Sequence, residues 1–248
     1  LIINRRGEDW IKPGGDESSN YHMGLLYLAA YCEKFGVTSK ILDISIQKIT
    51  LESILDIVES EQPKLIGISA TSMGMKSAVH ICQEIKKNYN IRVCLGGAHV
   101  NCDPHFIERV PAFDFCISGE GEKSLYDAFI KIKNGEKVDG IIHGEAIDNL
   151  DEIPFPARHL INIMDYAREE QQRKFGPELM PWATMLGSRG CPFKCTFCSS
   201  PVINHKVRYR DPKPIVDEME AIYDQCGGKY SFVDDVLTLN KKTTMGFC

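Results

Sequence analysis

The sequence predicts an α/β protein whose first part is a doubly wound parallel sheet. Three observations carry this. Five short apolar runs alternate with segments of helical period between Leu1 and Gly135. The runs are short and apolar, as strands covered by helices on both faces are. Small residues follow the third, fourth and fifth runs, where a doubly wound sheet binds its ligands.

The elements follow in order. "LIIN" (Leu1–Asn4) is the first strand, and "MGLLYLAAY" opens a buried helix over Met23–Phe35. Lys40–Ile44 is the second strand. Leu51, Ile54, Leu55 and Val58 recur at i, i+3, i+4 and i+7, an amphipathic helix. Pro63 breaks the chain before the third strand, Lys64–Ser69. Ala78, Ile81, Cys82 and Ile85 mark the next helix, and Ile91–Gly96 and Phe113–Ile117 are the last two strands. Leu125, Ala128, Phe129 and Ile132 give a final helix, stopped by Asn134-Gly135. From Asp148 the texture changes. "DNLDEIPFPARHL" and "EEQQRKFGPELMPW" read as a linker, and "ATML" is a strand running into a cysteine loop. The expected division is 1–145, a linker over 146–180, and 181–248.

Bulk properties exclude several classes. The 248 residues are 43% apolar and 25% charged, with a formal charge of −5. No Lys/Arg block suggests a nucleic-acid partner. No apolar run approaches the ~18 residues of a membrane span, and no signal peptide is visible. Seven of the ten cysteines are scattered singly through apolar patterns, which fits a reducing cytoplasm better than a disulfide scaffold.

The other three cysteines cluster in "GSRGCPFKCTFCSSP" as Cys191, Cys195 and Cys198. Thiolates bind zinc or iron–sulfur clusters. A structural zinc site takes a fourth ligand, and neither His205 nor Cys226 stands at a familiar spacing. Lys194 and Thr196 between the cysteines argue against three buried thiols. The spacing favours a 4Fe–4S cluster held by three ligands. One iron is then open, and an open coordination site is a reactive one.

"SRGCPFKCTFCSS" resembles the cluster loop of radical S-adenosylmethionine (SAM) enzymes. The resemblance implies that the open iron chelates SAM, and that one electron cleaves it to methionine and a 5′-deoxyadenosyl radical. It also implies that Phe197 meets the adenine through its backbone. "YSFVDDVLTLNKK" is similar to the second barrel strand of the cobalamin-dependent members, which implies Asp234 and Asp235 at the strand's carboxyl end near SAM. "PKLIGISATS", "VCLGGAHV" and "CISGEGEKSL" are similar to strand exits of cobalamin-binding domains fused to such barrels. That places Ser69, Thr71, Gly96, Gly97, Gly119 and Glu120 around the corrin and its nucleotide tail. The linker "IDNLDEIPFPARHL" is similar too. One departure is that no DxHxxG occurs. His22 lacks its spacing and reads as a loop or helix-start residue, and His99 reads as structural or loop-exposed. Cobalamin without a histidine lower ligand is implied. Without the resemblance, a flavin domain or a receiver would also suit the sheet, though Ser-Ala-Thr-Ser at the third exit argues against a receiver.

The implied second domain is the first part of a partial (β/α)6 TIM-type barrel. Only two of its strands follow Met180, and the chain opens without Met. The expectation is a fragment with exposed strand edges and poor solubility. The implied activity is reductive cleavage of SAM to start radical chemistry, with methyl transfer to an unactivated carbon. The alternatives are radical oxidation or ring closure, as in anaerobic porphyrin-ester cyclases, and a non-catalytic cobalamin- or metal-binding sensor. The implied partners are a small-molecule substrate and an electron donor such as a flavodoxin or ferredoxin, with no nucleic acid and no membrane.

Overall fold

The computed structural model describes residues 1–5, 22–166, 182–200 and 206–248. The expectations for His205 and for most of "EEQQRKFGPELMPW" fall outside these residues. Contacts divide the chain into two units, Leu1–Glu17 with Tyr31–Ala146, and Ser18–Ala30 with Ile147–Cys248.

The first unit holds a parallel sheet in the order β2-β1-β3-β4-β5-β6. Its strands are β1 (Ile2–Arg5), β2 (Ile41–Asp43), β3 (Leu65–Ala70), β4 (Arg92–Gly96), β5 (Phe115–Gly119) and β6 (Gly140–Gly144). Every pairing is parallel. The strands form because their side chains are apolar on both faces. Ile3, Ile66, Val93, Leu95, Phe115 and Cys116 are wholly buried. The division between the units falls within α1 (Met23–Lys34), and helices α2 (Leu51–Glu61), α3 (Met75–Asn88) and α4 (Glu122–Lys133) lie between the strands of the sheet. Helix α2 starts where the Thr50 hydroxyl accepts the Ser53 amide at 3.2 Å. It packs Ile54 and Val58 into the same core as Ala78, Cys82 and Ile85 of α3.

The five expected strands are all present. The sequence reading missed β6, which is an edge strand whose Ile141 and Ile142 are only half-buried. An edge strand needs little apolar content, so its signal is weak. The chain reverses direction across the sheet between β1 and β3. That is the switch point where doubly wound sheets take ligands, beyond the carboxyl ends of the strands.

The second unit contains a parallel pair, β7 (Ala183–Met185) with β10 (Tyr230–Phe232), in register Ala183 to Tyr230 and Met185 to Phe232. Between them lie β8 (Ser188–Arg189), β9 (Arg208–Tyr209) and α5 (Pro212–Ala221). Pro212 begins α5, where its missing N–H costs nothing. Helix α6 (Lys241–Phe247) starts where Asn240 Oδ1 accepts the Thr243 amide at 3.2 Å. Ala183, Met185, Ile215, Ile222 and Cys226 form the core. The segment from Ile147 to Tyr166, expected as part of the linker, buries Leu150, Ile153, Ala157 and Ile163. It also sends Arg158 to the wholly buried Glu218, 2.6 Å away. Among the described residues no helix is long and apolar enough to cross a membrane.

Candidate functional site

The cysteine loop leaves the second unit through a narrow neck. Strands β8 and β9 pair antiparallel, Ser188 with Tyr209 and Arg189 with Arg208. The Arg210 amide closes the neck by donating to the Gly187 carbonyl at 2.9 Å. Gly190 then turns the chain outward at φ +94°, which a side chain would strain. Cys191 is half-buried, and Cys195 and Cys198 are exposed. Phe197 beside them is 92% exposed. The Cys198 amide donates to the Cys195 carbonyl at 3.1 Å, so the last two cysteines share a tight turn. Hydrogen bonds from Ser200, including its amide to Cys198 Sγ at 3.4 Å, hold the Cys198 thiol below its ordinary pKa.

The structure does not gather the three sulfurs. Among the described residues no group of three or more His, Cys, Asp and Glu side chains stands close enough to hold a metal ion. A short exposed loop commonly takes its ligating shape as the metal binds, because binding and ordering are coupled. The donor set itself fits a soft iron–sulfur centre. The residues from Gly190 to Ser200 offer three thiols and no carboxylate.

Asp234 and Asp235 lie just beyond β10, at the carboxyl end the sequence predicted. Asp234 does not reach outward. Its two carboxylate oxygens accept the Gly187 amide at 3.1 and 3.0 Å, and Oδ1 accepts the Ser188 hydroxyl at 2.5 Å. Burial pushes its pKa up, against the lowering effect of these bonds. Asp235 faces the stretch just past the last cysteine, with Oδ1 at 3.5 Å from the Ser200 hydroxyl. Ser188 and Ser200 were missed as partners of the acidic pair. Only their flanking of the cysteines hinted at them.

In the first unit, the six residues expected around the corrin all stand at or just past the carboxyl ends of β3, β4 and β5. Ser69 is in register with Gly96 on β4 and with Asn4 on β1, beside the switch point. Gly119 is in register with Gly144 on β6. Ser69 and Glu120 are buried, and Thr71 is exposed. The glycines divide into two kinds. A Cβ on Gly97, at φ +95°, would lie 2.7 Å from Ser69 Oγ and 2.8 Å from the Ala70 backbone. One on Gly119, at φ +104°, would lie 2.8 Å from the Gly144 carbonyl oxygen. Both let neighbouring exits pack on each other. A Cβ on Gly96 would meet nothing within 4 Å among the described residues. The sequence reading gave all of them one purpose.

Asn101 was missed. Its Oδ1 accepts the Gly119 amide at 2.8 Å and ties the fourth exit to the fifth. His99 Nδ1 lies 2.9 Å from the Ser72 hydroxyl, and its ring stands edge-on to Phe106. His22 starts α1, its carbonyl accepting the Leu25 amide at 3.0 Å. A cavity of 290 Å³ lined by Leu1, Cys32, Val37, Pro63 and Phe129 opens at the opposite, amino-terminal edge of the sheet, away from these exits.

Known proteins resemble the chain along nearly its whole length. Residues 17–129 match the family described as B12 binding domain. The chain is 33% identical over 239 residues to an uncharacterized methyltransferase of Pyrococcus horikoshii, covering 89% of this chain and 50% of that protein. It is 26% identical over 257 residues to the anaerobic magnesium-protoporphyrin IX monomethyl ester cyclase of Rubrivivax gelatinosus, covering 92% and 46%. It is 24% identical over 275 residues to the cytidylyl-2-hydroxyethylphosphonate methyltransferase of Streptomyces wedmorensis, covering 88% and 51%. The chain thus spans about half the length of the curated relatives it matches. Its fold is shared with the cobalamin-dependent S-adenosylmethionine radical enzyme OxsB, with a TM-score of 0.76 at 17% identity over 100% of this chain and 36% of that one. It is shared also with the radical S-adenosylmethionine methyltransferase TsrM of Kitasatospora setae, with a TM-score of 0.71 at 16% identity over 99% and 51%.

Proposed function

We propose, for a chain that carries a B12 binding domain and is homologous along nearly its whole length to curated methyltransferases, that it is the cofactor-bearing part of a cobalamin-dependent radical SAM enzyme. The single observation that carries this is the collinear pairing of a B12 binding domain with an open three-thiol loop on one chain. The cobalamin domain is read over 1–145, the connecting segment over 146–180 and the cluster-bearing part over 181–248. A 4Fe–4S cluster bound here would supply the electron for SAM cleavage, and cobalamin would supply a carrier for the methyl group.

The chain's own residues bind and orient. Cys191, Cys195 and Cys198 would hold the cluster as thiolates. Phe197, almost fully exposed beside Cys198, offers its backbone to the adenine of SAM. Asp235, at the same strand end as Asp234, is the carboxylate facing Ser200, just past the last cysteine. In the first unit Ser69, Thr71 and Gly96 would line the place of the corrin, with Gly97, Gly119 and Glu120 shaping the neighbouring exits. All ten cysteines are free, which suits a reducing cytoplasm and an electron donor such as a flavodoxin or ferredoxin. The substrate is a small molecule, and methyl transfer to an unactivated carbon is the reaction. The cyclase relatives favour a second reading with the same cofactors, oxidative ring closure.

Anaerobic reconstitution with iron, sulfide and cobalamin tests the assignment. The expected result is a 4Fe–4S signal that added SAM perturbs, together with bound cobalamin. A colourless zinc protein would overturn it. In the whole protein, S-adenosylhomocysteine formed alongside 5′-deoxyadenosine supports methyl transfer, and its absence selects ring closure.

A further inference from the structure

We propose that Asp234 is a positioning residue for the cysteine loop, acting through the loop's neck and without touching SAM. The inference rests on the cluster assignment above and deepens it. The resemblance put Asp234 beside SAM. The geometry gives its carboxylate to Gly187 and Ser188, the two residues at the base of the loop.

The arrangement is a buckle. Strand β7 and strand β10 run parallel, so their carboxyl ends emerge side by side. Asp234 stands two residues past β10, and Gly187 two residues past β7. Both oxygens of the carboxylate take the Gly187 amide, and Oδ1 also takes the Ser188 hydroxyl. The packing there is close. A Cβ on Gly187 would lie 3.4 Å from Asp234 Oδ1 and 3.2 Å from Leu237 Cδ1. The side chain that fixes this corner therefore sets the angle at which β8 leaves, and with it where Gly190 launches the cysteines. Just past the last cysteine, Asp235 faces the Ser200 hydroxyl, and the Ser200 amide donates to Cys198 Sγ. Adjacent acidic residues thus address the base of the loop and the residue two past its last cysteine. Groups that orient ligands from outside the coordination shell typically change metal affinity about 10–100-fold when removed.

The test uses the chain reconstituted anaerobically, with iron retention against a chelator and the paramagnetic signal of the reduced cluster, with and without SAM, as readouts. Asp234→Ala is expected to retain iron about tenfold less tightly than the wild type. Ser188→Ala, which removes one hydroxyl, is expected to shift retention in the same direction by less. Asp234→Asn keeps one oxygen acceptor for the Gly187 amide and should restore part of the loss. Whatever cluster remains should still respond to SAM. Full iron retention with the SAM response lost would overturn the proposal, because Asp234 would then contact SAM itself. Full retention with a full response would overturn it too. If Asp234→Ala does not fold, Asp234→Asn and Ser188→Ala decide: wild-type retention in both refutes the buckle, and weakened retention supports it. A wild-type chain that takes up no cluster at all is a separate result, seen before any variant is made, and it removes the cluster assignment itself.

Discussion

Glu218 on α5 is wholly buried and receives an arginine on each carboxylate oxygen. Arg158 Nη2 lies 2.6 Å from Oε1, and Arg210 Nη1 lies 2.6 Å from Oε2. The same guanidinium nitrogens donate onward, Arg158 to the Thr184 carbonyl at 2.6 Å and Arg210 to the Leu186 carbonyl at 3.0 Å. Two cations thus converge on one anion directly beneath β7, the strand that leads to the cysteine loop. Removing the anion strips two buried guanidinium groups of their shared carboxylate and leaves Arg210 with Asp151, 3.7 Å away. Glu218→Ala is expected to destabilise the fold by about 3–5 kcal/mol, the usual consequence of stripping one partner from a buried pair. Urea denaturation followed by circular dichroism measures it. A loss below ~1 kcal/mol, the scale of an exposed pair, would show that the network is not closed in solution.

The buried thiols of the first unit behave differently from the clustered ones. Burial pushes Cys82 up to about 12 and Cys32 and Cys116 up to about 11, from an ordinary value of 9.0. The folded state therefore holds these protons more tightly than the unfolded chain. Their contribution to stability is complete below pH 9 and is lost as the pH rises from 9 toward 12. At pH 8, iodoacetamide should modify the exposed Cys102, Cys195, Cys198 and Cys248 well before Cys32, Cys82, Cys94 and Cys116. Mass mapping at increasing times gives the order. Early labelling of Cys82 would mean that its hydrogen bond to the Ala112 carbonyl, 3.2 Å long, is not kept.

Neighbouring glycines at the fourth exit should separate folding from ligand binding. Gly97→Ala forces a side chain into φ +95° and against Ser69 and Ala70. The strain is worth about 1–3 kcal/mol, so the variant should melt earlier. Gly96→Ala meets nothing among the described residues and should melt with the wild type. If the corrin occupies the space above Gly96, that same variant should still lower cobalamin affinity. Equal cobalamin binding by Gly96→Ala and the wild type would move the corrin away from this strand end.

What the sequence disclosed follows how local each signal is. Strands β3 and β4 were legible because their apolar runs are continuous and buried on both faces. Edge strand β6, half-exposed with two isoleucines between glycines, left no comparable pattern. The cysteine spacing carried its chemistry within eight residues. The partners of Asp234 lie 47 and 46 residues away, and Arg158 lies 60 residues from Glu218. Such pairs are set by which strands become neighbours, and no local period encodes them. Glu218 even stands on the buried face of α5 with Ile215, where an apolar residue would be expected.

Two cysteine variants separate the open cluster from a closed four-thiol site. Cys226 is the one other cysteine of the second unit that packs into its core, at 1% exposure among Ala183, Met185, Ile215 and Ile222. A sulfur enclosed by apolar side chains is a poor ligand for a loop whose other thiols face solvent. Cys226→Ala should therefore leave iron uptake unchanged while lowering thermal stability through the small cavity it creates. Cys195→Ala removes one of three ligands from an exposed turn. It should abolish the 4Fe–4S signal, leave the melting temperature of the chain without metal near the wild-type value, and preserve cobalamin binding in the other unit. The decisive comparison is iron per chain in the two variants. If Cys226→Ala loses iron as Cys195→Ala does, four thiolates close the site, no iron is left open for SAM, and the radical SAM assignment fails.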